Sequence, residues 1–449
     1  MKYLSWNCEL KIIKTRFGKY ILRKEADNLS GIFEYLLNET AVKIVSIIDG
    51  TKTYDEVIDS LSKYYNEQNN VVKNNVDLLL SNLKAFDIDI IYNDIPIHNS
   101  FSINNSDFLK PTVASIEITS ACNLKCRHCY GEFGSKSYHM PLDKIVKLLD
   151  DLEVMGVKMI ELTGGDISVH PDLQAIIKYA LSKKFVQVAL LTNGILLKDE
   201  TLDLLIENKQ RVVIQIDLHS MKEDYNNWFT QTNYGIGKIK RNIEYLCANG
   251  VKVRVAMIVT VKNIDDIIEV ADWAFIVGAI KLGISPVVPL GRANDDIEAL
   301  AISDVETLNK MEKILESVNK KYPNFIAFNE DGLKRQINCG CVTSHVVIDT
   351  LGNIKLCTMD NLKYISTSLG NVFNDSVLDI YKNNMKIVDA IFNLNAPKKE
   401  MDTCKDCDKI DFCEKCLLRA LISASDEKKD KCKWYEKEVP LTLKKFLAI

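Results

Sequence analysis

The chain has 449 residues, 47% hydrophobic and 26% charged, which is enough for about three globular domains with buried cores. Its 57 Lys and Arg residues against 61 Asp and Glu residues leave a net charge of −4, so its charge gives no indication of nucleic acid as a partner. Residues 1–7 lack the pattern of a secretion signal and no apolar run reaches the length of a membrane-spanning helix. We therefore expect a cytoplasmic protein with no membrane partner.

Residues 1–95 are predicted to form a small module of helices with a β wing, in the manner of a winged helix-turn-helix. Its predicted elements are a strand at Phe17–Leu22, a helix at Asn38–Ile48, a second helix that begins with a capping box at Thr53–Glu56, a third carrying Val72, Val76, Leu79, Leu83 and Phe86 on one face, and a strand at Asp87–Tyr92. Its near-neutral charge argues against DNA binding. Residues 96–110 are polar and are predicted to be a linker.

Residues 111–300 alternate between apolar runs and helical patterns, which predicts six β/α units in a partial barrel with a parallel sheet. The predicted strands are Val113–Ile118, Met159–Thr163, Val186–Leu191, Val212–Asp217, Val253–Val259 and Lys281–Val287. Active sites of such barrels lie at the carboxyl ends of the strands. Residues 301–335 are predicted to be a bridging region with one helix, and residues 336–449 a cysteine-rich domain with short strands.

The cysteine content is unusual, at 13 in the chain. The cytosol keeps thiols reduced, and clustered cysteines there usually bind metal. Cys122, Cys126 and Cys129 form a Cx3Cx2C motif in the loop after the first barrel strand. Three thiolates on so short a loop can hold three irons of a [4Fe–4S] cluster and leave the fourth without a protein ligand. A zinc site with His128 as an added ligand is the alternative.

This motif, at this place in a β/α barrel, resembles the radical S-adenosylmethionine (SAM) superfamily. The resemblance implies that the open iron binds SAM and that one electron cleaves it to a 5′-deoxyadenosyl radical, which abstracts a hydrogen atom from the substrate. It also implies further SAM contacts. They are His128 at the aromatic position of the motif, Gly164, Gly165 and Asp166 in a GGE-like motif with Asp in place of Glu, and Gln215 and Asp217 at the positions that hold the ribose and the carboxylate.

Arg254, on the fifth predicted strand, is either a partner for a carboxylate or a solvated strand residue. The remaining histidines share no spacing and are predicted to be structural or exposed. They are His98, His139, His170, His219 and His345.

The C-terminal cysteines resemble the seven-cysteine SPASM signature, with x2 in place of x3 between Cys413 and Cys416. Alone, residues 404–416 would be typical of a zinc ribbon. The resemblance implies two auxiliary [4Fe–4S] clusters, and so three in all. It assigns Cys404, Cys407, Cys413 and Cys432 to an outer cluster and Cys339, Cys357 and Cys416 to an inner one. Cys341 is the candidate for the fourth inner ligand, and an open iron is the alternative.

The N-terminal module resembles the PqqD-like element of peptide-modifying enzymes, which binds the leader of a precursor peptide as an added strand. Generic winged-helix packing is the alternative. The domain order resembles that of sactipeptide maturases, thioether synthases of the subtilosin type. The implied partners are a precursor peptide with a leader and a cysteine-containing core, and an electron donor such as flavodoxin or ferredoxin. The same architecture making a side-chain thioether, a carbon–carbon link or an epimerised residue stays open, as does a nonenzymatic zinc adaptor.

Overall fold

The computed structural model describes residues 2–15, 18–24, 33–84, 88–97, 102–106, 109–135, 137–232, 235–328, 339–363, 365, 367–425 and 432–447. The chain divides into two compact units, Met1–Leu109 and Lys110–Ile449. Among the helices of these described ranges, none is both long and apolar enough to cross a membrane.

The first unit combines two small sheets with helices. Its elements are β1 (Tyr3–Trp6), β2 (Leu10–Thr15), β3 (Tyr20–Lys24), β4 (Phe33–Leu37), α1 (Glu39–Ile47), α2 (Tyr54–Tyr65), α3 (Asn69–Lys84), β5 (Ile90–Asn93) and β6 (Ser102–Ser106). Strands β4, β3, β2 and β6 form one sheet in that order, and β1 pairs antiparallel with β5. The predicted strands at 17–22 and 87–92 correspond to β3 and β5, although residues 16, 17 and 85–87 lie outside the described part.

Local sequence signals explain where the helices of this unit begin. The side chain of Asn38 accepts a hydrogen bond from the Ala41 amide at 2.8 Å, which starts α1. The predicted capping box of α2 is confirmed, since Thr53 and Glu56 each accept a hydrogen bond from the other's backbone amide. The apolar face predicted for α3 is buried in the core of the unit.

The second unit is built on one sheet of nine strands. Its strands are β7 (Val113–Thr119), β8 (Met159–Gly164), β9 (Gln187–Thr192), β10 (Val212–Asp217), β11 (Lys252–Val259), β12 (Lys281–Pro286), β13 (Ile326–Phe328), β14 (His345–Ile348) and β15 (Ile354–Lys355). Strands β7 to β12 are consecutive parallel neighbours, which confirms the predicted parallel core of the barrel. Strand β13 adds to β12, whereas β14 and β15 add to β7, so the barrel is open.

Helices cover this sheet and complete the C-terminal region. They are α4 (Leu142–Met155), α5 (Leu173–Ser182), α6 (Asp199–Glu207), α7 (Glu223–Thr230), α8 (Gly237–Ala248), α9 (Ile267–Ile276), α10 (Ile297–Leu300), α11 (Val305–Lys321), α12 (Val377–Asn383), α13 (Met385–Asn393), α14 (Ile410–Cys413), α15 (Leu417–Ser425), α16 (Lys433–Lys437) and α17 (Leu441–Leu447). Helix α4 illustrates how the sequence sets a helix and its end. Ile145, Leu148 and Leu152 share its buried face, and Gly156 ends it at a φ of 92°.

The cysteine-rich region is joined to the barrel through β14, which pairs in parallel with β7 from His345 opposite Val113 to Ile348 opposite Ile116. A buried ion pair reinforces this junction. The Nζ of Lys355 on β15 lies 2.6 Å from the Oε1 of Glu117 on β7, and the two side chains are 4% and 5% exposed. The sequence predicted strands near 345–349 and 353–356 but not their place in the barrel sheet.

We expect Lys355→Met to lower the free energy of unfolding by about 3–5 kcal/mol, because it leaves the Glu117 carboxyl buried without its partner. Anaerobic thermal and denaturant unfolding of the purified protein measures this. The control is Lys310→Met, which removes an exposed pair with Asp265 and should change stability by less than about 1 kcal/mol. The double variant Glu117→Leu/Lys355→Met should recover much of the loss. Equal effects of the two single substitutions would contradict the structural role of the buried pair.

Candidate functional site

A cavity of about 380 Å³ lies in the second unit at the carboxyl ends of the barrel strands. Nine of the ten residues predicted to bind the SAM cluster or SAM line it, and Asp166 does not. The nine are Cys122, Cys126, Cys129, His128, Gly164, Gly165, Gln215, Asp217 and Arg254. The structure therefore brings together predicted residues from four places, namely the cysteine loop, the end of β8, strand β10 and strand β11.

The three thiols of the Cx3Cx2C motif lie on one short loop that follows the carboxyl end of β7. Burial raises the pKa of the Cys122 thiol to about 11, and Cys129 nearby adds to the rise. Burial also raises the pKa of Cys126, with further contributions from Cys129 and Cys122. Thiols that disfavour one another's ionisation in this way are suited to a cationic metal centre, which removes the penalty by binding the thiolates.

Gly164 and Gly165 allow the backbone of this loop to approach β8. A Cβ on Gly164, whose φ is 131°, would lie 2.1 Å from the Thr119 carbonyl oxygen, and a Cβ on Gly165 would lie 2.1 Å from that of Ala121. The amide of Gly165 donates to the Thr119 oxygen at 2.7 Å, and the amide of Asp166 to the Ala121 oxygen at 2.9 Å. The glycines are thus required by packing within the chain itself.

The Asp166 carboxylate accepts hydrogen bonds from neighbouring residues and does not line the cavity. Its Oδ2 accepts hydrogen bonds from the Thr192 hydroxyl at 2.8 Å and the Asn193 amide at 2.7 Å, while its Oδ1 accepts from the amide and hydroxyl of Ser168. The residue is almost fully buried, with 1% of its surface exposed. Asp166 therefore positions the ends of β8 and β9, and a direct contact with SAM stays a prediction.

His128 belongs to a buried aromatic group that sequence spacing did not reveal. Its ring stacks on Phe229 with centroids 4.6 Å apart and meets the edge of His219 at 5.3 Å. Burial lowers the pKa of His128 to about 4 and that of His219 below its usual range. Both rings are therefore neutral near pH 7. His219 lines the cavity, and its place two residues after the end of β10 is the sequence signal that could have identified it.

Two further predicted ligand contacts, Asp217 and Arg254, line the cavity from strands β10 and β11. Burial, with a contribution from Asp166, raises the pKa of Asp217 to about 7, so this carboxyl favours a cationic ligand beside it. Arg254 packs against Gly283, where a Cβ would lie 2.7 Å from its Nη2, and it interacts electrostatically with Glu161. Arg254 thus lines the cavity and is partly buried, and its role as a partner for a carboxylate stays a prediction.

The other predicted structural histidines lie away from this group. His345 contacts the Ser115 hydroxyl at 2.6 Å, His139 contacts the Thr119 hydroxyl at 2.9 Å, and His170 contacts the Met140 carbonyl at 3.0 Å. These contacts agree with a structural role. His98 lies outside the described residues.

The C-terminal cysteines fall into two groups by mutual interaction. A hydrogen bond with Cys339, then burial and the nearby Cys357 and Cys416, raise the pKa of Cys341. Burial raises the pKa of Cys404 and of Cys413, and each is raised further by Cys432 and Cys407. Among the described residues, no three His, Cys, Asp or Glu side chains are arranged to hold a single metal ion. We call these groups the inner set (Cys339, Cys341, Cys357 and Cys416) and the outer set (Cys404, Cys407, Cys413 and Cys432).

Comparison with known proteins identifies the family. Residues 116–274 match the radical SAM superfamily and residues 339–408 match SPASM, an iron–sulfur cluster-binding domain. The chain is 31% identical over 416 residues to the antilisterial bacteriocin subtilosin biosynthesis protein AlbA of Bacillus subtilis, an alignment of 92% of this chain and 91% of that protein. This chain belongs to the radical SAM enzymes that carry a SPASM domain. It is therefore a SAM-dependent enzyme with iron–sulfur clusters, and the nonenzymatic adaptor is set aside.

Two other matches differ in how much of this chain they cover. A GTP 3′,8-cyclase of Clostridium perfringens is 28% identical over 207 residues, which is 44% of this chain and 62% of that protein. The crystal structure of Streptococcus suis SuiB bound to precursor peptide SuiA superposes with a TM-score of 0.62 at 16% identity, covering 98% of this chain and 99% of that one. The second match supports the overall fold of the barrel and the C-terminal region of this radical SAM enzyme.

We expect Gly165→Ala to disrupt the cavity, because its Cβ would overlap a backbone oxygen of the cysteine loop. Formation of 5′-deoxyadenosine should fall by about 100-fold, the scale set by displacements near 1 Å. Iron content and product formation measure this in the anaerobic enzyme. Gly237→Ala is the control, since no atom lies within 4 Å of the added Cβ and the substitution falls in helix α8. Wild-type product formation by Gly165→Ala would show that the close approach is dispensable.

Proposed function

We propose that this enzyme is a peptide maturase that joins a cysteine sulfur of a ribosomally made precursor peptide to the α-carbon of another residue. The observation that carries the proposal is the 31% identity to the subtilosin biosynthesis protein over 92% of this chain. Since at most about a tenth of this chain is left uncovered, the alignment extends beyond the barrel into both flanking regions. A SAM-cleaving barrel alone would leave the substrate open.

The cysteine loop fits the SAM-binding [4Fe–4S] cluster by its donor set. Cys122, Cys126 and Cys129 supply three thiolates from one loop, and no fourth ligand is needed from the chain. When bound, cluster and SAM together supply a 5′-deoxyadenosyl radical that removes the α-hydrogen of the peptide. Around them, His128 and His219 form an aromatic wall, and Gln215, Asp217 and Arg254 offer polar groups to the ribose and amino-acid parts of SAM.

Electron balance explains the need for the auxiliary thiol sets. Removing one α-hydrogen atom and the thiol proton while forming a C–S bond leaves one electron to be taken from the peptide. The inner and outer sets each offer four thiols, the number that a closed [4Fe–4S] cluster uses. The enzyme would hold three clusters in all, and an external carrier such as flavodoxin or ferredoxin would exchange the electrons.

The N-terminal unit offers a surface for the precursor leader. Its sheet runs β4, β3, β2, β6, so β4 is a terminal strand whose outer edge can pair with an extended peptide. A leader held there would raise the effective concentration of the core peptide for the enzyme. The near-neutral charge of the chain is compatible with peptide binding. Such a reaction belongs in the cytoplasm, where precursor peptides are made.

Anaerobic incubation with SAM, reductant and a synthetic precursor, followed by mass spectrometry, tests the proposal. We expect a product that has lost two hydrogens per cross-link, with the sulfur attached to an α-carbon. The variant with Ala at Cys122, Cys126 and Cys129 should form no 5′-deoxyadenosine and keep about two-thirds of the iron. Cys247→Ala is the control, since this half-buried thiol belongs neither to the Cx3Cx2C motif nor to the inner or outer set. Undiminished SAM cleavage by the triple variant would refute the assignment.

A separate variant addresses the auxiliary sets. We expect the double variant Cys404→Ala/Cys413→Ala to release 5′-deoxyadenosine but form no cross-link, because the second electron would lack an acceptor. Iron content, circular dichroism and product analysis measure this together. A folded double variant that cross-links at the wild-type rate would show that the outer set has no part in the chemistry.

A further inference from the structure

A short turn after β12 contacts the cysteine loop through both side-chain and backbone groups. The 3-10 turn Gly291–Asp296 carries Arg292, whose Nε donates a hydrogen bond to the Cys126 carbonyl at 2.9 Å. Its Nη1 donates to the Phe133 carbonyl at 2.9 Å, and its backbone amide donates to the Cys129 carbonyl at 3.1 Å. One residue thus binds three carbonyls spread along the loop.

The neighbouring glycine shows how closely the two segments approach. Gly291 has a φ of 58°, and a Cβ there would lie 2.4 Å from the Tyr130 carbonyl oxygen and 2.5 Å from that of Cys129. Both the left-handed conformation and the lack of space exclude other residues. The turn and the loop are therefore fitted to each other by backbone packing as well as by the guanidinium.

Arg292 also lines the cavity beside the three thiols, where it places a positive charge. Lysine would keep this charge but lose the fixed fork that reaches two carbonyls at once.

We propose that Arg292 is a positioning residue that holds the loop of Cys122, Cys126 and Cys129 in the shape that SAM cleavage requires. The inference rests on the proposed role of this loop. The carbonyls of Cys126, Cys129 and Phe133 are fixed by donors from outside the loop, so the segment from Cys126 to Phe133 keeps its shape and the thiols of Cys126 and Cys129 keep their relative directions. Small displacements of reacting groups can slow a reaction by about 100-fold, which makes such a restraint matter for rate.

Arg292→Lys is the test, and the chain supplies a matched control. Arg211 also binds three backbone carbonyls, those of Leu181, Lys183 and Phe185, at 2.8, 2.7 and 2.6 Å, but it lies before β10 and away from the cavity. Both variants are compared as full-length anaerobic enzyme. The measurements are hydrogen–deuterium exchange of residues 120–134, the change of the cluster's paramagnetic resonance signal on adding SAM, and 5′-deoxyadenosine formation without precursor.

In Arg292→Lys we expect faster hydrogen–deuterium exchange of residues 120–134 and SAM cleavage that is about 10-fold slower. In Arg211→Lys we expect the exchange of this segment and the rate of SAM cleavage to stay at their wild-type values. Gly291→Ala, which forces the turn away with Arg292 intact, should act in the same direction and serves if Arg292→Lys does not fold. Exchange in 120–134 that is unchanged in Arg292→Lys, or equal slowing of SAM cleavage by Arg292→Lys and Arg211→Lys, would overturn the proposal. The hydrogen–deuterium exchange result does not depend on whether this loop holds the SAM cluster. That question is decided by the variant with Ala at Cys122, Cys126 and Cys129.

Discussion

The close approach of two backbones at the carboxyl ends of β7 and β8 is the constraint on which the candidate site depends. Because Gly164 and Gly165 carry no side chains, the carbonyls of Thr119 and Ala121 can reach amides at the end of β8. Asp166 then extends the connection to the end of β9 through Thr192 and Asn193. Three strand ends are thereby fixed relative to one another, and the cysteine loop leaves this junction in a defined direction.

The C-terminal region extends the same sheet rather than forming a separate layer. Strand β14 pairs with β7, the strand that leads into the cysteine loop, and the Lys355–Glu117 pair closes the junction in the core. Tyr130 shows the consequence: burial, Glu117, Cys129 and Cys357 all raise the pKa of its hydroxyl. This tyrosine therefore lies within electrostatic reach of both Cys129 of the cysteine loop and Cys357 of the inner set.

Sequence patterns predicted the barrel strands to within about a residue because each is a short apolar run between polar breaks. They also predicted most cavity residues, since ends of parallel strands meet at one edge. They failed where contacts join distant segments. The pairing of β14 with β7 and the reach of Arg292 to Cys126 span long stretches of chain without any shared period. Asp166 was predicted from its place in a motif, but its hydrogen bonds are decided by neighbours on β9.

The proposed function divides between the barrel and the remainder of the chain. The cavity residues are those predicted to bind the SAM cluster and SAM, and the similarity to a GTP 3′,8-cyclase covers less than half of this chain. Under this proposal, substrate choice depends on the regions around the barrel. The alignment with the subtilosin biosynthesis protein covers 92% of this chain, so it extends beyond the barrel into both flanking regions. The proposed peptide reaction gives a reason for these regions, because it must hold a long substrate and remove a second electron from it, and cleavage of SAM by itself does neither.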